Sequence, residues 1–231
     1  MSLPSATTAA RNNAKWCDTV CTTHGNPGVF GPDAWTAPRR PPRRYPDAVV
    51  LDPAADPHDV LRRVDAAAGC SVKDSFATLD LAPAGFRVLF EAEWIGLEGT
   101  PAPAGRAAPW RRVRDARELD AWASAWGGTS EASPFRPELL DEPGVAVVAG
   151  HDGARVVAGA VLNRAAGVVG VTNLFTTNGA LDAAWDSALV TARSLFPNPA
   201  IVGYESGADL GAARRHGFRP LGRLRVWIKD A

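Results

Sequence analysis

Cysteine is scarce in this chain of 231 residues, where only Cys17, Cys21 and Cys70 occur. An odd and low number of thiols does not supply a disulfide framework and fits a reducing compartment. The chain also lacks the ~20 consecutive apolar residues of a membrane-spanning helix. Residues 1–10 lack the charged start and apolar core of a signal peptide. These absences predict a cytoplasmic protein that has no membrane partner.

The chain also has no formal net charge, because 25 Lys and Arg residues balance 25 Asp and Glu residues. A neutral chain has no long-range attraction for nucleic acid, so nucleic acid is not the expected partner. A local cluster (Arg39, Arg40, Arg43 and Arg44) nevertheless lies within residues 26–46. It indicates either a site for a phosphate-bearing ligand or RNA, or a solvated arm that pairs with the protein's own carboxylates. The zero net charge favours the second interpretation.

The organisation of the chain follows from its length and from one Pro- and Gly-rich segment. The length allows one large domain or two small ones, each with a buried core. Residues 96–109 contain several Pro and Gly and few large apolar side chains, which indicates a linker. We therefore predict an N-terminal helix and Pro/Arg-rich arm (1–46), a small α/β subdomain (47–95), the linker, and a second domain (110–231).

The first part of the chain has a mixed pattern of predicted elements. Apolar residues at steps of three and four predict helices, and alternating apolar residues predict strands. The elements are a helix at 5–24, a strand at 47–52, a helix at 56–68, and strands at 76–81 and 86–95. The prolines of residues 26–46 exclude a regular helix there, so this segment is predicted to be an extended arm on the surface.

The second part has a more regular alternation of strands and helices. Residues 168–175 are almost wholly apolar, which is typical of a strand at the middle of a sheet. In order, the pattern predicts a strand at 110–113, a helix at 115–126, strands at 146–149, 156–163 and 168–175, a helix at 181–196, a strand at 200–204, a helix at 209–216 and a strand at 221–228.

Three motifs make this order similar to a known family. Residues 156–162 read Val-Val-Ala-Gly-Ala-Val-Leu, a buried strand leads directly into a long helix over 168–196, and the late helix ends in Gly217-Phe218. Over 110–230 the chain resembles the GNAT (Gcn5-related N-acetyltransferase) family. The resemblance implies an α/β (α+β) fold with a mixed, mostly antiparallel sheet flanked by helices, here preceded by an N-terminal α/β subdomain.

The resemblance also implies acetyl-CoA as co-substrate, held by main-chain amides at the start of the helix that follows the central strand. The residues that match this position are Phe175, Thr176, Thr177, Asn178, Gly179 and Ala180. The family usually has Arg or Gln and several Gly here, whereas this chain has one Gly and no Arg, and Asp182 is expected to repel a phosphate. The alternative is an Asn-Gly turn in which Asn178 or Asp182 caps the helix.

Catalytic candidates follow from the end of the next predicted strand. The family often has a Tyr general acid on the late helix, where this chain has Arg214 and Arg215. Tyr204 and Glu205 instead follow a strand whose carboxyl end is expected to face the ligand. Glu205 is a candidate general base and Tyr204 a candidate acid for the departing thiolate. The alternative is that Tyr204 belongs to the core and Glu205 is a surface or capping charge.

Two further patterns carry weaker signals. Asn173 lies in the apolar strand and must find hydrogen-bond partners there. Cys17, Cys21 and His24 share one side of a helix, but zinc needs four ligands, so packing of the small cysteines is favoured over a metal site. A catalytic Cys17 or Cys21 likewise lacks an evident third group. We therefore predict no metal.

The sequence thus predicts a GNAT-like enzyme that moves an acetyl group from acetyl-CoA to an amine of a small molecule or a protein. The alternative from a different class is a catalytically inactive GNAT-like protein that acts in binding or regulation. A third interpretation is an aminoacyl-type transferase that uses the arginine-rich arm for RNA. The sequence leaves a homodimer open.

Overall fold

The computed structural model describes residues 2–99, 107–127, 133–197 and 200–230. The central part of the predicted linker, residues 100–106, therefore lies outside the described residues. The described ranges contain five α-helices: α1 (Ala6–Thr23), α2 (Pro57–Leu61), α3 (Ala116–Trp126), α4 (Leu181–Leu195) and α5 (Gly207–Arg215). No helix in these ranges has the length and apolar character needed to cross a bilayer.

One sheet runs through the described parts of the chain. Its strands are β1 (Val29–Phe30), β2 (Ala34–Thr36), β3 (Ala48–Val50), β4 (Ser71–Asp74), β5 (Phe86–Leu97), β6 (Arg111–Arg112), β7 (Val145–Asp152), β8 (Arg155–Ala165), β9 (Val168–Thr176), β10 (Ile201–Glu205) and β11 (Arg219–Lys229). Their spatial order is β1-β2-β3-β4-β11-β5-β10-β9-β8-β7-β6. Within this sheet the pairs β3–β4 and β9–β10 are parallel, and the other neighbours are antiparallel. The predicted mixed, mostly antiparallel sheet is confirmed.

The two ends of the chain share this sheet. The last strand, β11, lies between β4 and β5, and β5 pairs with β11 from Phe86 opposite Lys229 to Gly96 opposite Arg219. On its other side β5 pairs with β10. β5 extends to Leu97, so its end overlaps the range predicted to be the linker. The sheet is continuous across the predicted boundary, and the division into domains stays a prediction.

Helices cover both faces of the sheet. Along β7, Val145, Val147 and Ala149 belong to a core cluster with α1 and α3, whereas Ala146 and Val148 belong to a second cluster with α4 and α5. This alternation is the two-residue period of a strand, and it places α1 and α3 on one face and α4 and α5 on the other. A third, smaller core lies around β2, β3 and β4.

Helix α1 is fastened across the second part of the chain. Ser5 caps it, because its hydroxyl accepts a hydrogen bond from the Thr8 amide at 3.1 Å. In its middle, the buried Asn12 donates to the main-chain oxygen of Asn163 (3.1 Å), and the Asn163 amide donates back to the main-chain oxygen of Asn12 (3.2 Å). These bonds fix the position of α1 on β8.

Several predicted elements of the first half are corrected. Residues 76–81 are a loop, because the Asp74 carboxylate accepts hydrogen bonds from the amides of Phe76 (3.3 Å) and Leu79 (2.9 Å) and holds the chain in a turn. The neighbouring strand is β4, which precedes that loop. The helix predicted at 56–68 ends at Leu61, since the Asp65 side chain accepts from the Ala67 amide and forms a turn in place of another helical turn.

The predicted extended arm, residues 26–46, is also more ordered than expected. It contains β1 and β2, and Trp35 of β2 is fully buried with its indole N–H donating to Asp18 Oδ1 at 3.2 Å. Gly28 is required beside it, because a Cβ there would lie 2.2 Å from the Trp35 ring nitrogen. From residue 110 onward the predicted order of strands and helices is confirmed, with boundaries shifted by a few residues.

Candidate functional site

The sheet opens between β9 and β10. These parallel strands pair only at Ile201 with Val169 and at Val202 with Gly170. Beyond this point β10 stays paired with β5 as far as Glu205, while β9 stays paired with β8 toward its own end. The two strands therefore diverge and leave a gap at their carboxyl ends, which is where α/β sheets commonly bind ligands.

A β-bulge lies at the edge of this gap. In the pairing of β8 with β9, Gly159 is opposite Phe175 but Val161 is opposite Thr172, so β9 has an extra residue. Asn173, within the bulge, has a φ of 54°, a left-handed conformation that Asn tolerates better than most residues. The Thr172 hydroxyl donates to Asn173 Oδ1 at 3.2 Å and supplies the partner expected for this amide. Bulges of this kind re-aim side chains and main-chain groups beside functional sites.

Some main-chain amides of the loop from β9 into α4 already donate hydrogen bonds within the protein. The Thr177 amide donates to the Val157 carbonyl (2.8 Å), the Ala180 amide to Asn178 Oδ1 (3.1 Å) and the Leu181 amide to the Gly179 carbonyl (2.8 Å). The amides of four residues make no hydrogen bond within the described ranges: Asn178, Gly179, Asp182 and Ala183. Asn178 braces the turn, as the alternative interpretation of this loop expected, but no side chain caps the helix at Ala180.

The charge at the start of α4 differs from the expectation. The Asp182 carboxylate accepts hydrogen bonds from Arg215 of α5, at 2.9 and 3.0 Å. Arg215 therefore neutralises the Asp182 carboxylate and places a guanidinium beside the start of α4. Sequence reasoning missed Arg215, because it is 33 residues from its partner and the packing of α4 against α5 brings the two together.

The candidate cofactor residues Phe175 and Thr176 have side chains occupied by internal contacts. The Phe175 ring packs edge-to-face on Trp122 with centroids 5.3 Å apart. The Thr176 hydroxyl lies 2.6 Å from Asn178 Oδ1. Any role of these two residues toward a cofactor thus falls to their main chain, and it stays a prediction.

Tyr204 and Glu205 point to opposite faces of β10, because neighbouring residues of a strand alternate. The Tyr204 ring packs edge-to-face on Trp94 (centroids 5.4 Å apart) and lines a cavity of about 730 Å³. On the other face, burial and the nearby Asp209 of α5 raise the pKa of Glu205 to about 8. The structure therefore places both residues at the carboxyl end of β10 but not side by side.

The large cavity adjoins both edges of the gap. Thr172 and Asn173 of β9 and Tyr204 of β10 line it, together with α1 and the arm. Its wall also contains Lys73 of β4, only 5% exposed, whose ammonium donates to Asn13 Oδ1 at 2.7 Å. Sequence reasoning missed Lys73 because it missed β4, and the partner of Lys73, Asn13, is 60 residues away in sequence.

The cysteines of α1 lie in the core. Burial raises the pKa of Cys17 to about 11 and that of Cys21 to about 12, which opposes formation of a thiolate. His24 lies 2.9 Å from the main-chain oxygen of Pro134 through Nε2. In the described ranges, no three His, Cys, Asp or Glu side chains converge as a metal site requires.

The late Gly217-Phe218 motif follows the end of α5, as the sequence indicated. Gly217 has a φ of 86°, a left-handed conformation that suits glycine after a helix. Phe218 is buried, and its ring lies 4.9 Å from the Trp185 ring of α4. The motif thus fixes the end of α5 against the helix that begins at the gap.

Comparisons with known proteins identify the fold. No protein-family model and no curated protein matches the sequence. A GCN5-related N-acetyltransferase from Kribbella flavida superposes with a TM-score of 0.66 at 19% identity over 96% of each chain. A GNAT-family protein from Novosphingobium aromaticivorans has a TM-score of 0.56 at 11% identity, covering 94% of this chain and 96% of that one. A GCN5-related N-acetyltransferase from Sphaerobacter thermophilus has a TM-score of 0.52 at 14% identity, covering 98% and 96%.

These similarities define the class of fold. The chain has the fold of the GCN5-related N-acetyltransferases, as the sequence resemblance implied. The match also extends beyond residues 110–230, since it covers nearly the whole chain. The N-terminal segments therefore have counterparts in proteins of this fold.

Proposed function

We propose that this protein is an N-acetyltransferase that moves an acetyl group from acetyl-CoA to an amine. The observation that carries the proposal is the gap between β9 and β10, bordered by the bulge at Asn173, in a chain with the GNAT fold. A gap of this kind lets an extended thioester reach from one face of the sheet to the other. The cavity on the face of α1 and α3 is then available for the acceptor amine.

The donor pyrophosphate would lie at the start of α4. The unpaired amides of Asn178, Gly179, Asp182 and Ala183 offer donors there, and the positive end of the helix dipole favours an anion. Arg215 neutralises Asp182 and adds a guanidinium at the same place. This set of donors is smaller than the Gly-rich loop usual in the family, but it is sufficient in kind for a pyrophosphate.

The proposed reaction is a direct attack of the amine on acetyl-CoA within a ternary complex. The amine nitrogen attacks the thioester carbonyl carbon, a C–N bond forms, the C–S bond breaks, and the CoA thiolate leaves. The amine loses one proton and the thiolate gains one. In this proposal Tyr204, at the edge of the cavity, supplies the proton to the thiolate. Glu205 lies on the opposite face of β10 and accepts the amine proton through water in the gap. Because the pKa of Glu205 is raised to about 8, the rate should increase as pH rises through about 8.

Binding of acetyl-CoA tests the proposal with a matched pair of variants. A ligand present at ~100 times its Kd adds ~2.7 kcal/mol to the free energy of unfolding, so millimolar acetyl-CoA should raise the melting temperature. Arg215→Gln removes the cation and exposes the Asp182 charge, so it should reduce this shift. Arg214→Gln is the control, because Arg214 pairs with Glu93 of β5 instead. Equal shifts in melting temperature for the two variants would contradict binding of acetyl-CoA at the start of α4.

The second candidate is a GNAT-like binding or regulatory protein without catalysis. It is favoured by the internal hydrogen bonds of Thr177, Ala180 and Leu181 and by the separation of Tyr204 from Glu205. Absence of any melting shift with acetyl-CoA, in a protein that unfolds cooperatively, would select this candidate. A cytoplasmic location and a homodimer stay predictions.

The RNA-dependent interpretation finds less support in the arm. Arg40 pairs with Asp47 at 3.0 Å, Arg39 donates to Asn26 and to a main-chain oxygen, and Arg44 stacks on Trp126 at 4.6 Å. Much of the cluster is therefore engaged within the protein, which agrees with the interpretation that the arm pairs internally. A tRNA shift assay over a salt series would test the remaining attraction.

A further inference from the structure

We propose that the 730 Å³ cavity binds the acceptor through a carboxylate and that Lys73 is the group that recognises it. The acceptor is then an amine that also carries a carboxylate and an apolar body, as in an apolar amino acid. This inference rests on the proposed acetyl transfer, because it names the class of acceptor for the same site.

Lys73 is a buried cation without an anion. Its side chain lies in the cavity wall and donates to Asn13 Oδ1, and its Nζ lies 4.1 Å from the centre of the Tyr204 ring. In the described part of the chain, no carboxylate lies within 4.0 Å of this ammonium. Burying a charge in this way is costly unless a partner of opposite charge is present. A bound carboxylate supplies that partner.

The other charges of the wall leave an excess of positive charge. Arg40 and Asp47 neutralise each other through two contacts of 3.0 Å. Arg43 and Arg44 also line the cavity, and neither makes an ion pair within the described ranges. The potential inside therefore favours an anionic ligand and disfavours an amine that has no acidic group.

The rest of the wall is largely apolar. Trp16 of α1, Phe90 of β5, and Val226 and Ile228 of β11 contribute to it. Small-molecule sites commonly combine such apolar walls with a few polar groups that fix orientation. An apolar side chain on the acceptor would pack against these residues while its carboxylate reaches Lys73.

The position of Lys73 fits the chemistry at the gap. Its ammonium contacts Tyr204, and Tyr204 lies with Thr172 and Asn173 along the edges of the gap. In an α-amino acid the amine and the carboxylate are attached to the same carbon. A carboxylate held by Lys73 therefore keeps the amine close to the gap, where the thioester would arrive.

Ligand binding to the wild-type protein tests the inference without any substitution. L-phenylalanine and 3-phenylpropionate carry the carboxylate, whereas phenethylamine has the same ring and amine without it. Isothermal titration should show both carboxylates binding and phenethylamine binding at least about tenfold more weakly, since an ionic hydrogen bond is lost. Equal or tighter binding of phenethylamine, or no binding of either carboxylate, would overturn the inference.

Two variants identify the residue responsible. Lys73→Met removes the charge with little change in shape and should abolish the preference for carboxylates, while Lys73→Arg should retain part of it. Lys229→Met is the control, because Lys229 also contacts an aromatic ring, Phe86, but does not line the cavity. If the preference for carboxylates survives in Lys73→Met, another group recognises the carboxylate and the inference about Lys73 is wrong.

The experiments distinguish a failure of the carboxylate inference from a failure of the proposed acetyl transfer. If acetyl-CoA binds and phenethylamine is acetylated faster than L-phenylalanine, the transferase remains and the carboxylate inference is wrong. If the carboxylates bind through Lys73 but acetyl-CoA does not bind, the cavity inference holds as a binding site and the proposed transfer is wrong.

Discussion

Glu205 shows how one partly buried carboxyl group affects both stability and chemistry. Its pKa is raised from 4.5 to about 8, mainly by burial and secondly by Asp209. The neighbouring strand brings Glu93 opposite Glu205, and Glu93 is itself paired with Arg214. Between pH 4.5 and about 8 the unfolded chain releases the Glu205 proton while the folded protein keeps it. Glu205 must therefore destabilise the fold as pH rises through this window.

We predict that Glu205→Gln removes this dependence on pH. Relative to the variant, the wild-type protein should lose ~1–3 kcal/mol of unfolding free energy between about pH 5 and about pH 8, a value reduced for the partial exposure of the group. Urea unfolding at several pH values measures it. Glu138→Gln, at an exposed position, should follow the wild-type curve. Parallel curves for wild type and Glu205→Gln would contradict the raised pKa.

The candidate residues that sequence could identify were those in local patterns. Tyr204, Glu205 and the loop around Gly179 follow directly from the order of strand, loop and helix. Lys73 and Arg215 could not be found in this way, because their partners are distant in sequence: Asn13 is 60 residues from Lys73. Such contacts depend on how elements pack and leave no local periodicity.

Helix α1 is the element that ties the N-terminal part to the strands beside the gap. Its Asn12 and Asn163 of β8 exchange hydrogen bonds in a buried position. The main chain of β9 passes close by, and a Cβ on Gly170 would lie 2.1 Å from Asn12 Oδ1. The Asn12 side-chain amide also donates to the main-chain oxygen of Ala165 at 3.2 Å, so one side chain holds two main-chain oxygens of β8.

We predict that Asn12→Ala destabilises the protein by ~2–3 kcal/mol, because Asn163 and two main-chain oxygens lose buried partners. Arg11→Ala, on the exposed side of the same helix turn, should change stability by less than ~0.5 kcal/mol. Chemical denaturation of both variants gives the comparison. Similar losses for the two would contradict the account, because alanine favours a helix at both positions and only Asn12 makes the buried contact.

The strands that sequence predicted best were long and well patterned. β8, β9 and β11 have 9 to 11 residues with apolar faces, and their predicted positions are confirmed. Short strands were predicted less consistently, because two to four residues are too few to show a period: β3 and β6 were predicted, whereas β1, β2 and β4 were missed. In that region the Asp74 turn and the arm depend on tertiary contacts.

The whole molecule is organised by strands that are distant in sequence. β5 lies between β10 and β11 and so completes the sheet of the later part of the chain. Nothing in the local pattern of residues 86–97 indicates this position, and for that reason the sequence suggested a separate subdomain. Because of this arrangement, residues from both ends of the chain line the cavity.

We predict that a fragment of residues 110–231 does not fold alone, because removal of β5 exposes the edges of β10 and β11. The full chain should unfold in a single transition by circular dichroism and by calorimetry. Co-expression of residues 1–99 with the fragment should restore a soluble complex. A fragment that is monomeric and melts cooperatively would support the two-domain division.

Amide hydrogen exchange over residues 172–183, with and without saturating acetyl-CoA, examines the gap and the start of α4 together. The unpaired amides of Asn178, Gly179, Asp182 and Ala183 should exchange rapidly in the free protein and slowly with the ligand. Exchange in peptides from β1 and β2, at the edge of the sheet distant from the gap, should not change. Unaltered exchange over 172–183 at a concentration where acetyl-CoA is bound, or protection confined to another region, would contradict the placement of the donor in this gap.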